Sequence, residues 1–112
     1  MITMPIKEVT SKMLESLNET GAAKIVRAWA AFHGHEHTYE AGTEQTDAEV
    51  TFVSGKYAGL KVQIGSGYAV ATWGQYDKSG ELESLWSVDV EPKVPLSLAL
   101  DKVAKVRAKE SK

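Results

Sequence analysis

The chain has 112 residues, of which 43% are hydrophobic and 25% are charged, and its formal net charge is −2. These proportions are typical of a globular protein and exclude a disordered, collagen-like or low-complexity chain. The nearly balanced charge argues against binding to nucleic acid through the phosphate backbone. We therefore expect a single domain over residues 1–112 that has no nucleic-acid partner.

Cysteine is absent from the sequence, which excludes disulfides, thiolate nucleophiles and iron–sulfur ligation. The first residues do not combine a basic region with an apolar run, so they do not resemble a secretory signal. No stretch approaches the ~18 consecutive apolar residues that a membrane-spanning helix needs. These absences predict a cytoplasmic protein with no membrane partner.

Three segments have the apolar spacing of amphipathic helices. Apolar residues recur at steps of three and four over 5–18, and again in the alanine-rich run 22–33, with Gly34 as the expected terminator. Interpreted as a strand, 22–33 would alternate poorly. A third helix is expected to begin after Pro95.

Between these helices the period changes to two. Apolar and polar residues alternate in four runs between 48 and 90, and the runs are joined by short glycine-bearing turns. Short connections require antiparallel neighbours, which predicts a four-stranded meander. The polar segment 38–47 has no apolar period and is predicted to be a surface loop.

The predicted architecture is α+β, with two N-terminal helices, the four-stranded antiparallel meander and a C-terminal helix, all helices packing on one face of the sheet. Alternation groups Trp86 with Leu82 and Val88 on the covered side, and places Trp73 on the open side. The reversed assignment, with Trp73 in the core, stays an alternative. The predicted core comprises Val9, Met13, Leu17, Ile25, Trp29, Phe52, Val62, Ile64, Trp86, Val88, Leu100 and Val103.

All the histidines lie in one run, His33-Gly34-His35-Glu36-His37. Imidazole binds transition metals, and residues two apart project from the same side of an extended segment, so His33, His35 and His37 form a candidate metal site. The competing interpretation is a polar helix end followed by a solvated loop. Because no fourth ligand follows in a recognisable motif, we expect no stoichiometric metal and no cofactor.

No catalytic motif is present elsewhere. Gly65-Ser66-Gly67 is followed by a strand rather than by the helix that a phosphate-binding loop requires, and no serine occupies a nucleophile elbow. The sequence therefore favours a small non-enzymatic binding or accessory protein, of the kind found in phages or mobile elements, which contacts a protein partner or a second copy of itself. The candidate contact residues are Trp73 and four acidic residues, Glu40, Glu44, Asp47 and Glu49.

Two other functions stay open. One is a metal-dependent or acid–base enzyme centred on His33, His35 and His37. The other is a carrier of a small ligand, with a pocket between sheet and helices lined by Trp29, Phe32 and Trp86.

Overall fold

A computed structural model describes residues 6–110. Within this range the elements are α1 (Ser11–Leu14), α2 (Glu19–Phe32), β1 (His37–Glu40), β2 (Ala48–Phe52), a 3₁₀ turn (Gly55–Tyr57), β3 (Lys61–Gly65), β4 (Tyr68–Tyr76), β5 (Leu82–Asp89) and α3 (Leu96–Glu110). The sheet is antiparallel with strand order β1-β2-β3-β4-β5. The predicted α+β class and antiparallel sheet are confirmed.

The sheet has five strands rather than the predicted four. The additional strand, β1, lies inside the segment expected to be a loop, and its Tyr39 pairs with Val50 of β2. The ring of Tyr39 faces the helices, where the guanidinium of Arg27 sits 4.6 Å from its centroid. A cation–π contact thus holds a half-buried tyrosine in a strand that is otherwise polar. The loop is correspondingly shorter, covering 41–47.

The first helix is much shorter than the predicted 5–18, whose first residue lies outside the described range. Residues 6–10 have no regular secondary structure, and only Ser11–Leu14 of the predicted range are helical. The carbonyl of Val9 accepts a hydrogen bond from the Leu96 amide at 2.8 Å, and the Glu8 carboxylate accepts one from the Ser97 hydroxyl at 2.7 Å. These contacts with the start of α3 replace the helical hydrogen bonds that the apolar spacing predicted.

The second helix begins at Glu19, three residues before the predicted start, because the Asn18 side chain caps it by accepting from the Gly21 amide at 2.8 Å. It ends at Phe32, and the predicted terminator Gly34 follows two residues later, with a φ of +72° in the left-handed region that favours glycine. The His35 amide then donates back to the Ala30 carbonyl, which reverses the chain.

One face of the sheet is covered by the helices. Its buried side chains include Val50, Val62, Ile64 and Ala71, which meet Val26 of α2 and Leu100 and Val103 of α3 in one apolar cluster. The opposite face carries no helix in the described range, and we call it the open face. None of the helices between residues 6 and 110 is both long and apolar enough to cross a membrane.

The predicted core is partly correct. Most of its members are buried or packed against the core, whereas Met13 is 38% exposed and Trp86 is half-buried. Met13 is exposed because the four-residue α1 turns Leu14, its neighbour, inward instead.

Trp73 lies on the covered side and not on the open face. It is directly opposite Trp86 in the β4–β5 register, and the two rings stack with centroids 4.9 Å apart. Residues directly opposite in an antiparallel pair share a face, so the two tryptophans cannot be separated as alternation suggested. The structure therefore shows the reversed assignment for Trp73 of β4, whereas Trp86 and Val88 of β5 lie on the covered side as first predicted.

Candidate functional site

The open face bears an exposed apolar patch at its β4–β5 end. We call the side chains of Tyr76, Leu82 and Leu85 the apolar patch; they are 57%, 50% and 53% exposed. Three large apolar groups exposed together, rather than singly, are a feature of interaction surfaces.

A β-bulge brings the apolar patch together. Gln75 pairs with Ser84 but Tyr76 pairs with Leu82, so Glu83 is an extra residue in β5. Without it, Leu82 and Leu85 would point to opposite faces because they are three residues apart. With it, both lie on the open face.

Gly74 forms the floor of the apolar patch. It lies opposite Leu85, and a Cβ atom at this position would approach Leu82 Cδ1 to 2.9 Å and the Tyr76 ring to 3.4 Å. The tyrosine and leucine side chains therefore fold over the glycine and cover part of β4. Beside them Thr72 is only 3% exposed although it lies on the same face. The apolar patch is thus a packed surface and not three independent side chains.

The charges of the open face are predominantly negative. By strand register this face holds three carboxylates, Glu40, Glu49 and Asp89, and one lysine, Lys61. The Lys61 amine contacts the Glu49 carboxylate at 2.9 Å, and this hydrogen bond, together with the charge of Glu49, raises the pKa of Lys61 above its ordinary value despite partial burial. Lys61 is therefore a cation already paired with a carboxylate, which leaves the face acidic.

The four acidic residues predicted as contact residues are only partly brought together. Glu40, Asp47 and Glu49 line one small cavity of about 160 Å³ at the β1–β2 end, whereas Glu44 is exposed in the loop. Asp47 accepts a hydrogen bond from the Tyr68 hydroxyl at 2.6 Å, which raises the pKa of Tyr68. Trp73, the fifth predicted contact residue, lies on the other side of the sheet.

The His33 and His35 rings stack with centroids 6.1 Å apart. The His33 Nε2 lies 2.9 Å from the Lys7 carbonyl, and the His37 Nδ1 lies 2.9 Å from the His35 carbonyl. Among residues 6–110 no group of three or more His, Asp or Glu side chains is arranged to hold a metal ion. Burial lowers the pKa of His35, and the neighbouring His33 and Lys56 lower it further.

The three residues of the carrier hypothesis do not form a shared pocket wall. Trp29 is buried against Phe52 and Tyr57, Trp86 stacks on Trp73, and Phe32 is 48% exposed. Phe32 is the last residue of α2.

Sequence reasoning missed the apolar patch. Strict alternation places Leu82 on the covered side, and the bulge that overrides this alternation leaves little trace in the sequence. The available signal was Gly74, because a glycine inside a strand marks a bulge or a close approach of side chains. Comparison with protein-family models, with curated proteins and with solved structures finds no match to this chain.

Proposed function

We propose that this protein acts by binding another protein through the open face of its sheet. The observation that carries the proposal is the apolar patch of Tyr76, Leu82 and Leu85, which packs over Gly74 and is about half exposed. The exposed part of these side chains does not contribute to the stability of the fold. Burial against a partner would stabilise the complex by roughly 25 cal/mol for each Å² of apolar surface removed from water.

The charge of the open face indicates which kind of partner it would bind. Three carboxylates lie on the open face and its lysine is already paired, so a partner with basic side chains beside an apolar anchor would be complementary. The apolar patch would supply the affinity, and the acidic end near Glu40 and Asp47 would orient the partner. The predicted acidic contact residues thus keep a part in the proposal, whereas Trp73 does not.

Strand β5 adds a second feature to the surface, because it is an edge strand of eight residues. The Val90 amide donates to the Ala69 carbonyl, and continuing this alternation points the backbone groups of Leu85, Ser87 and Asp89 away from β4. Beyond the bulge at Glu83, which itself disturbs the edge, β5 contains neither proline nor lysine, residues that commonly protect edges from pairing. The partner would therefore meet an apolar patch bordered by available backbone hydrogen-bond groups.

The test compares Leu85→Lys with Leu98→Lys. Leu98 is a matched control, since it is 39% exposed on α3, outside the open face. Both variants and the wild type would be used to capture proteins from the native cell extract. We expect at least one captured protein to be lost with Leu85→Lys and kept with Leu98→Lys, and its binding to protect β5 amides from hydrogen exchange.

Light scattering of the purified chain distinguishes self-association. A dimer that Leu85→Lys dissociates and Leu98→Lys leaves intact would identify the partner as a second copy. If Leu85→Lys keeps every interaction of the wild type, both with itself and with other proteins, the proposal is wrong.

A further inference from the structure

A cleft of about 290 Å³ opens on the helix side of the molecule, away from the open face. Its walls come from four separate segments, which are the residues before α1, the end of α2, the 3₁₀ turn and the first two turns of α3. Its volume is at the lower end of the range for sites that hold small molecules. Polar side chains from distant parts of the chain converge there.

The two carboxylates of the cleft are already engaged by the protein. Glu8 accepts hydrogen bonds from the Ser97 hydroxyl at 2.7 Å and from the Ser97 amide at 3.3 Å. Asp101 accepts one from the Tyr57 hydroxyl at 2.7 Å. These contacts attach the N-terminal segment and the 3₁₀ turn to α3, so both acidic groups have structural roles there.

The polar groups of the cleft that accept or donate no hydrogen bond within the described residues are mostly hydrogen-bond donors. Within the described residues the Lys7 amine has neither a hydrogen bond nor an ion pair. The Lys56 amine has no hydrogen bond there; it is 4.0 Å from Asp101, at the limit of an ion pair, and 4.9 Å from the centroid of the Tyr57 ring. Between residues 6 and 110, neither ring nitrogen of His35 finds a hydrogen-bond partner. The charges of the two lysines balance those of the two carboxylates, so the cleft has no net charge, and the polar groups that it leaves for a ligand are N–H donors.

One wall of the cleft is aromatic and rigid. The indole of Trp29 lies 5.2 Å from the His33 ring, 5.3 Å from the His35 ring and 6.5 Å from the Tyr57 ring, centroid to centroid. Trp29 is 2% exposed, and within the described residues its Nε1–H is buried without a hydrogen-bond partner. An unpaired buried donor costs stability, and such a group is explained by a functional role or by a bound water or ion.

We propose that this cleft binds a small organic anion, with its acid group at Lys56 and His35 and its ring against the aromatic wall. The acid group is a carboxylate or a phosphate monoester, since both offer the several acceptor oxygens that the unengaged donors require. The cleft volume limits the body of the ligand to about the size of a single ring. This site is independent of the partner-binding surface proposed above.

The experiment uses benzoate and phenyl phosphate as probes and follows the indole N–H signals by NMR. Trp29→Phe assigns the Trp29 signal, and Trp73 and Trp86 serve as internal references. We expect one or both probes to shift the Trp29 signal and to leave the two reference signals in place. The probe that binds more tightly identifies the acid group, carboxylate or phosphate.

The charge-removing variant Lys56→Gln tests the position of the acid group, with Lys102→Gln as control because Lys102 is exposed on α3 outside the cleft. Loss of one charge-assisted contact should weaken binding by about tenfold in Lys56→Gln. Lys102→Gln should bind as the wild type does. The proposal is overturned if neither probe shifts the Trp29 signal at tens of millimolar, or if both variants lose affinity equally.

Discussion

On β3 and β4, Val62 pairs with Ala71 on the covered face, while the next pair along, Lys61 with Thr72, lies on the open face. The covered face is filled by aliphatic side chains that meet two helices, and its alanines on β4 leave room for α3. The open face combines carboxylates with the apolar patch. The difference shows that apolar character alone does not decide which residues are buried. On the open face Thr72 is 3% exposed, whereas Tyr76, Leu82 and Leu85 are about half exposed.

The two faces should differ most in the free energy of unfolding when one large side chain on each face is truncated to alanine. Phe52→Ala should lower the free energy of unfolding by about 4 kcal/mol, because Phe52 is fully buried and its removal leaves a cavity. Leu85→Ala on the open face should change it by less than about 0.5 kcal/mol. Urea denaturation measures both. Equal losses in the two variants would contradict the assignment of the faces.

A smaller effect is expected from Trp73→Ala, which tests the corrected position of Trp73. Its ring is half-buried and stacked on Trp86, so we expect a loss of about 2 kcal/mol in the free energy of unfolding. In a double-mutant cycle with Trp86→Ala, the interaction free energy between the two tryptophans should be about 1 kcal/mol. An unchanged unfolding midpoint for Trp73→Ala would restore the original assignment to the open face.

The smallest effect concerns a polar group buried on the helix side. Tyr57→Phe removes the hydrogen bond to Asp101 and should cost about 1 kcal/mol at pH 7. Burial, together with that bond, raises the pKa of the Tyr57 hydroxyl above its ordinary value of 10.0. The folded state therefore keeps a proton that the unfolded state releases, so this contribution is complete below pH 10 and declines as the pH rises above it.

Thermal unfolding between pH 8 and pH 11 checks that expectation. Wild type should lose stability more steeply above pH 10 than Tyr57→Phe does. Parallel curves for the two proteins would mean that the tyrosine ionises equally in the folded and unfolded states.

Much of the fold could be predicted from local periodicity. Strands β2 and β3 alternate regularly, and α3 follows Pro95 with a clear apolar stripe, so each was located within a few residues. Each of these elements buries one face along its whole length. Under that condition the spacing of apolar residues in the sequence matches the spacing of buried residues in the structure. The turn at Gly34 was equally predictable, because its left-handed backbone favours glycine.

The remaining features depend on contacts between distant residues. Residues 6–10 have helical spacing, yet Glu8 and Val9 bind the start of α3, some 90 positions away. Strand β1 is polar and gains its place from pairing with β2 and from the contact of Tyr39 with Arg27. In both cases the contacting residues are too far apart in the sequence for local spacing to predict the contact.

The candidate sites could be predicted least. The apolar patch needs the register of β4 against β5, and the cleft needs four segments that are far apart in the chain. Of the sequence-predicted groups, His33 and His35 do line the cleft, whereas His37 does not.

The extra residue Glu83 has a consequence for how the chain tolerates changes in length. Removing one residue from a regular strand reverses the faces of every residue on one side of the deletion. In β5 the bulge already holds one residue more than its partner strand, so deleting Glu83 should leave Leu82 opposite Tyr76 and Ser84 opposite Gln75. Deleting Ser87 would instead exchange the sides of the residues that follow. β5 can thus be shortened at one chosen point with its two surfaces preserved.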